Sequence, residues 1–335
     1  MVGEKIQIWR EEEYHYPAAY GFVPFMVSYI HEDTQIHPGM VIVPGGAYRG
    51  VASSEGHIVA EEFYRAGYNV FVLVYTVNPL DDPLKLQPLN DISRAVRIVR
   101  KRAEELHIDS GRIAVCGFSA GGHLTASLCV HSGDIEDQDP VYQELSNRPD
   151  AAILSYPVIT SGKYAHRDSM IALLGEDAGE DELEYMSLEK HVTKDTPPCF
   201  IWQTLTDETV PVENSGLFAD ACKKAGVPFA YHVFSDGVHG LSLATQQWLD
   251  RDFGHPYTRE QFRFLADAVM RGDTKYSPDK GEELLAAAGL DGKKKEKWTP
   301  EQKEQIEKTL EEVGIWPKMA QVWLKKQWRE LAGEK

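Results

Sequence analysis

The sequence predicts an α/β fold: a mostly parallel, eight-stranded sheet with helices on both faces. Three observations predict it. Short apolar runs alternate with helix-length segments along the chain, the pattern of strands joined by crossover helices. The segment 89–106 carries Ile92, Ala95, Val96, Val99, Ala103 and Leu106, the i, i+3, i+4 spacing of a half-buried helix. Between the fifth apolar run and the helix-like stretch that follows it lies Gly117-Phe118-Ser119-Ala120-Gly121, a tight strand-to-helix turn.

The strand-like runs are 6–9, 25–30, 40–43, 70–75, 113–116, 152–156, 199–203 and 229–234. The earliest are expected to pair antiparallel at one edge. Helices are expected at 55–66, 89–106, 122–131, 169–174 and 213–225. No internal repeat or low-complexity linker divides the chain, so its 335 residues read as a single domain with a large core.

Composition narrows the function classes. A hydrophobic content of 42% and an aromatic content of 10% are ordinary globular values. A net charge of −17 argues against a nucleic-acid partner or a polybasic membrane role, and disfavours a strongly anionic substrate. Cys116, Cys129, Cys199 and Cys222 form no C-x-x-C pair and no metal pattern, so buried free thiols are expected. The first residues lack the apolar core of a signal peptide, and no apolar run reaches membrane-spanning length. A soluble, cytoplasmic protein is the expectation.

The chemistry sits in four short stretches. A Gly-x-Ser-x-Gly at a strand-to-helix junction is a nucleophile elbow, in which small residues flank a serine whose Oγ projects above the sheet. It points to acyl transfer with Ser119 as nucleophile. Upstream, Pro44-Gly45-Gly46-Ala47-Tyr48 follows the third apolar run. Glycines there let backbone N–H groups approach a ligand, so Gly46, Ala47 and Ala120 are the candidate oxyanion donors. The acid and the base should follow in the order serine, acid, histidine. Asp207 and His239 lie just past two strand-like runs, where such folds carry their active loops. Glu208 and Asp236 are rival acids. His232 and His123 fall within a strand and a helix pattern and read as packing residues. Tyr48 and Tyr156 are the candidate substrate-binding residues, since aromatic faces suit sugar rings; packing of the loop bases is the competing reading for both.

Pro44–Tyr48, Gly117–Leu124, Thr206-Asp207-Glu208-Thr209-Val210-Pro211 and Gly237-Val238-His239-Gly240-Leu241 resemble those of α/β-hydrolase carbohydrate esterases. The nearest group is the acetyl-xylan-esterase-like set, also called the feruloyl and acetyl xylan esterase family. The resemblance covers about 39–243 and resumes near the C-terminus. It implies deacetylation of plant-polysaccharide fragments by Ser119, Asp207 and His239, with no metal and no organic cofactor. The residues alone stop at a serine esterase or acyl hydrolase. A formamidase or a general esterase fits the same triad, and a non-catalytic binding module is the reading from a different class. A peptidase of the prolyl-oligopeptidase type lacks its N-terminal region here.

The departure from that family is the stretch 248–312, which reads as an insertion before a last helix at 313–331. It holds helix-like segments at 259–270 and 282–288, a lysine-rich loop at 292–297, and a third segment opening on the capping box Thr299-Pro300-Glu301-Gln302. Three roles compete for it: a lid over the acyl pocket, a contact between two copies of the chain, or a surface embellishment.

Overall fold

The computed structural model describes residues 3–80, 82–292 and 298–331. One sheet contains β1 (Lys5–Gln7), β2 (Phe25–Tyr29), β3 (His37–Val43), β4 (Asn69–Val74), β5 (Ile108–Phe118), β6 (Ala151–Ser155), β7 (Cys199–Thr204) and β8 (Phe229–Phe234). Their spatial order is β1-β2-β4-β3-β5-β6-β7-β8. The pairs β1/β2 and β2/β4 are antiparallel and every other pair is parallel. This is the α/β-hydrolase fold. Each apolar run in the sequence corresponds to one strand. β5 is longer than its run because its start reaches back to pair Ile108 with His37, across a register shift between His37 and Gly39.

The helices are α1 (His57–Arg65), α2 (Gln87–Lys101), α3 (Ser119–His131), α4 (Pro140–Gln143), α5 (Arg167–Leu174), α6 (Glu180–Tyr185), α7 (Glu213–Ala225), α8 (Gln246–Leu249), α9 (Glu260–Arg271), α10 (Pro278–Ala287), α11 (Pro300–Val313) and α12 (Trp316–Leu331). Four of the five expected helices have other bounds, α5 beginning two residues early at Arg167 and three differing for a local reason. α1 starts at His57 because Ser53–Glu55 form a separate 3-10 turn. α2 stops at Lys101, and the chain turns through His107, with φ 51°, into β5. α3 begins at Ser119 itself.

Alternate residues along β6 and β7 enter different clusters, as a period-2 strand requires. Ile153, Phe200 and Trp202 face a core shared with Phe63 of α1 and with Trp316 and Leu324 of α12. Leu154, Cys199 and Ile201 face Ala126 of α3 and Phe218 and Cys222 of α7. The sheet is therefore covered on both sides. All four cysteines are free and buried. Among the described residues, no helix is long and apolar enough to cross a membrane.

The 248–312 stretch wraps the body on two sides. Near α9, Arg259 Nε donates to Ser53 Oγ at 2.9 Å, and the Gln261 side-chain carbonyl accepts the Val77 N–H at 3.0 Å. The Phe262 ring fills the space beside Gly50, 3.2 Å from where a Cβ would stand. α11 lies elsewhere: its Glu312 carboxylate takes the Ser235 N–H at 3.0 Å and the Ser235 hydroxyl at 2.7 Å, at the end of β8. The capping box is formed, with Thr299 Oγ1 accepting from Gln302 N and Gln302 Oε1 accepting from Thr299 N. The lysines at 293–295 and 297 lie outside the described residues.

Candidate active site

β5 ends at Phe118 in extended conformation, and Ser119 then takes φ 52° as α3 begins. Neither flanking glycine has space for a side chain. A Cβ on Gly117 would lie 2.2 Å from Thr125 Oγ1 and 2.3 Å from the Gly121 carbonyl oxygen; one on Gly121 would lie 2.1 Å from the Val43 carbonyl oxygen. The turn therefore depends on both glycines and pushes the serine off the strand axis.

Ser119 Oγ stands 2.8 Å from His239 Nε2, and His239 Nδ1 stands 2.7 Å from Asp207 Oδ2. The structure brings the three sequence-predicted residues into one hydrogen-bonded chain. Asp207 is held from behind: its Oδ1 accepts the N–H groups of Thr209 at 3.0 Å and Val210 at 2.9 Å. With those contacts fixing the carboxylate, it orients the imidazole so that Nδ1 carries the proton and Nε2 faces the serine. The rival acids are elsewhere. Glu208 is exposed, and Asp236 Oδ1 accepts the Thr206 hydroxyl at 2.5 Å and the Gly237 N–H at 2.9 Å.

Three consecutive residues after Gly45 have positive φ: Gly46 at 123°, Ala47 at 55° and Tyr48 at 60°. The loop is stitched by the Gly46 carbonyl, which accepts from Arg49 N at 2.9 Å and Gly50 N at 3.1 Å. Among the described residues, no acceptor takes the Gly46 or Ala47 N–H. Ala120 lies in the first turn of α3, where N–H groups have no intrahelical acceptor. The three candidate oxyanion donors are thus uncommitted backbone dipoles, and the loop of the first two approaches the serine at Gly45, where a Cβ would stand 2.8 Å from Ser119 Cβ.

Tyr48 and Tyr156 correct the sequence reading. Both are buried, at 1% and 2% exposure, so neither offers a face to a sugar. Tyr48 packs at right angles to His123 and donates to its Nδ1 at 2.8 Å, while His123 Nε2 donates to the Met186 carbonyl at 3.2 Å. Burial holds His123 neutral, with its pKa lowered to about 4. Tyr156, with φ 37°, lays its ring 5.0 Å from the His239 ring, and its hydroxyl accepts the Ser242 N–H at 3.1 Å.

Glu55 is the residue the sequence reading missed. Its carboxylate is buried, takes the Gly45 N–H at 2.6 Å and accepts the Tyr156 hydroxyl at 2.8 Å. Burial raises its pKa, against the opposing pull of those two hydrogen bonds and of His239. From beneath, Trp316 of α12 stacks on Trp202 at 5.1 Å and donates to the Ser242 carbonyl at 2.8 Å, pinning the loop that carries His239.

Residues 28–222 match the family model described as BD-FAE. The chain belongs to the BD-FAE family. A Butyrivibrio fibrisolvens protein named endo-1,4-beta-xylanase B is 49% identical over 255 residues, covering 76% of this BD-FAE chain and 40% of the relative. An acetylxylan esterase of Xylanibacter ruminicola is 29% identical over 212 residues, covering 62% of this chain and 41% of its own. The chain thus spans about two fifths of each of these relatives. The crystal structure of an acetyl ester-xyloside bifunctional hydrolase from Caldicellulosiruptor lactoaceticus superimposes with a TM-score of 0.67 at 37% identity, over 86% of this chain and 97% of that one.

One further polar cluster lies apart from this site. His31, Asp33 and His37 sit between β2 and the start of β3, at the end of the sheet opposite Ser119. The two imidazoles stack at 4.2 Å and 13°, so their in-plane lone pairs run side by side rather than converging on one ion.

Proposed function

We propose that this BD-FAE chain is a serine carboxylesterase that removes acetyl groups from plant-polysaccharide-derived oligosaccharides. The observation that carries the chemistry is the continuous Ser119–His239–Asp207 hydrogen-bond chain at a strained elbow. The substrate class is supported by the relatives named acetylxylan esterase and acetyl ester-xyloside hydrolase.

The reaction proceeds in two halves. His239 Nε2 takes the Ser119 proton as Oγ attacks the ester carbonyl, and the carbonyl π-electrons move onto oxygen. The N–H groups of Gly46, Ala47 and Ala120 hold that oxyanion. As the tetrahedral centre collapses, the carbon–oxygen bond to the sugar breaks, and the leaving sugar oxygen takes the proton from His239. Water, deprotonated by the same imidazole, then attacks the acetyl-enzyme; acetate leaves and Ser119 recovers its proton. Asp207 stays ionised throughout and stabilises the imidazolium.

Acetate release from acetylated xylo-oligosaccharides, wild type beside Ser119→Ala, tests this reading. Release by the wild type alone is the expected result. Equal release by both would remove Ser119 from its role. No release by either, with both proteins folded and the wild type labelled by a fluorophosphonate, would overturn the substrate class and leave the nucleophile in place.

A further inference from the structure

A cavity of about 700 Å3 opens beside His239. One wall is the acid and histidine loops, with Glu208 and Asp236; the other comes from the 248–312 insertion, with Trp298, Gln305 and Thr309. This volume lies in the range that takes a drug-sized ligand, about 300–1,000 Å3. The insertion wall is rigid at its base. Trp298 stacks on Trp248 at 5.7 Å, carries the Arg251 guanidinium at 4.4 Å from its ring centre, and donates to the Leu249 carbonyl at 3.0 Å.

We propose that this cavity binds the sugar that leaves: a neutral oligosaccharide docks its alcohol side between α11 and the Asp207 and His239 loops. The inference rests on the esterase reading and deepens it. The departing oxygen takes its proton from His239 Nε2, so the leaving group lies on the histidine side of Ser119. The cavity is lined by His239 itself, together with Thr206, Glu208 and Thr209 of the acid loop. The lining chemistry then selects the class. The amide of Gln305 and the carboxylates of Asp236 and Glu208 match the hydroxyls of a sugar, each of which donates one hydrogen bond and can accept two. No hydrogen bond or ion pair to another described residue occupies the Glu208 carboxylate, which leaves both its oxygens for sugar hydroxyls. Among the described lining residues there are two carboxylates and no lysine or arginine, which disfavours an anionic leaving group. The rival acids of the sequence thus acquire a role in recognition, and the insertion acts as one wall of the substrate site.

Gln305 is exposed on α11, so filling the cavity from there does not disturb the core. The measurement is kcat/KM on neutral acetylated xylo-oligosaccharides divided by kcat/KM on p-nitrophenyl acetate, which carries no sugar. Gln305→Trp should lower that ratio about tenfold or more, chiefly through KM, and Glu208→Ala on the opposite wall should lower it in the same direction. In the Ser119→Ala background, calorimetric titration with deacetylated xylo-oligosaccharide should show binding that Gln305→Trp removes. A ratio within about twofold of wild type in Gln305→Trp, or unchanged binding, would overturn the cavity assignment while the esterase reading stands. Hydrolysis of the aryl ester with no turnover of any oligosaccharide by the wild type would overturn both. Equal turnover of glucuronate-bearing and neutral oligosaccharides would overturn the assignment to neutral sugars.

Discussion

Glu55 accepts a hydrogen bond from the Tyr156 hydroxyl at 2.8 Å, and through this pair the loop that carries Gly45 is tied to the loop after His239. The same carboxylate holds the Gly45 N–H, while the Tyr156 hydroxyl takes the Ser242 N–H. Four positive-φ residues surround this hub: Gly46, Ala47, Tyr156 and Ser242. Backbone held in such conformations persists only where neighbours over-determine it, and the Glu55–Tyr156 pair spans the two loops, Glu55 holding Gly45 and Tyr156 holding Ser242.

Replacing Glu55 with Gln exchanges one acceptor oxygen for a donor, so only one of the two groups that donate to it, Gly45 N–H or the Tyr156 hydroxyl, keeps its acceptor. Leaving a buried group unmatched costs about 1–3 kcal/mol. The expected result is a fall in kcat of about tenfold with a smaller change in KM, because the disturbed loops position the oxyanion donors and the histidine. The pH dependence has a definite sign. Burial raises the folded-state pKa of Glu55, so the native state binds this proton more tightly than the unfolded chain does. That stabilisation is present below the ordinary carboxylate range and is lost as pH rises through the raised pKa. Gln has no such loss. The Tm difference between wild type and Glu55→Gln should therefore narrow as pH is raised from about 4 to about 7, read by thermal melts across that series.

Gly121→Ala tests the elbow. Its new Cβ would stand 2.1 Å from the Val43 carbonyl oxygen and 2.5 Å from that of Pro44, and both are backbone. Relief requires moving β3 and the Gly45–Ala47 turn together. A destabilisation of about 3 kcal/mol or more is expected from overpacking. Ester hydrolysis should fall further than the folded fraction does, measured at a temperature where the variant remains folded.

Ser119, Asp207 and His239 were readable because each lies at the end of a local apolar run, and local periodicity survives in sequence. The eight strands were readable for the same reason, though not the placement of β4 between β2 and β3, which long-range pairing decides. Glu55 was not readable. In Ala52-Ser53-Ser54-Glu55-Gly56 it looks like the solvent-facing start of a helix, and its burial comes from Gly45, 10 residues away, and Tyr156, 101 residues away. Tyr48 and Tyr156 misled for the converse reason. Their position beside the catalytic turns suggested exposure, yet their hydroxyls are consumed by His123 and by Glu55 with Ser242.

His123 supplies the acid-side prediction. Burial lowers its pKa from 6.5 to about 4, so the unfolded chain binds this proton more readily than the native state does. Stability is full above the unfolded value and is lost as pH falls through the window towards 4. By linkage the loss approaches about 3 kcal/mol. Urea midpoints measured from about pH 7 down to about pH 4.5 should drop less steeply in His123→Gln than in wild type, since the variant keeps a donor for Met186 and has nothing to titrate.

The last helix has a consequence for how such a chain can change over time. A Cβ on Gly314 would lie 3.1 Å from the Ala244 carbonyl oxygen, so the excursion between these residues leaves and rejoins the body at one point. Chain exchanged within that excursion leaves the order of the strands unchanged, provided that it replaces the contacts of Arg259 with Ser53, Gln261 with Val77 and Glu312 with Ser235. The cavity wall is then a cassette: lengthening, trimming or recombining it would retune which alcohol is admitted while the acyl chemistry is inherited intact.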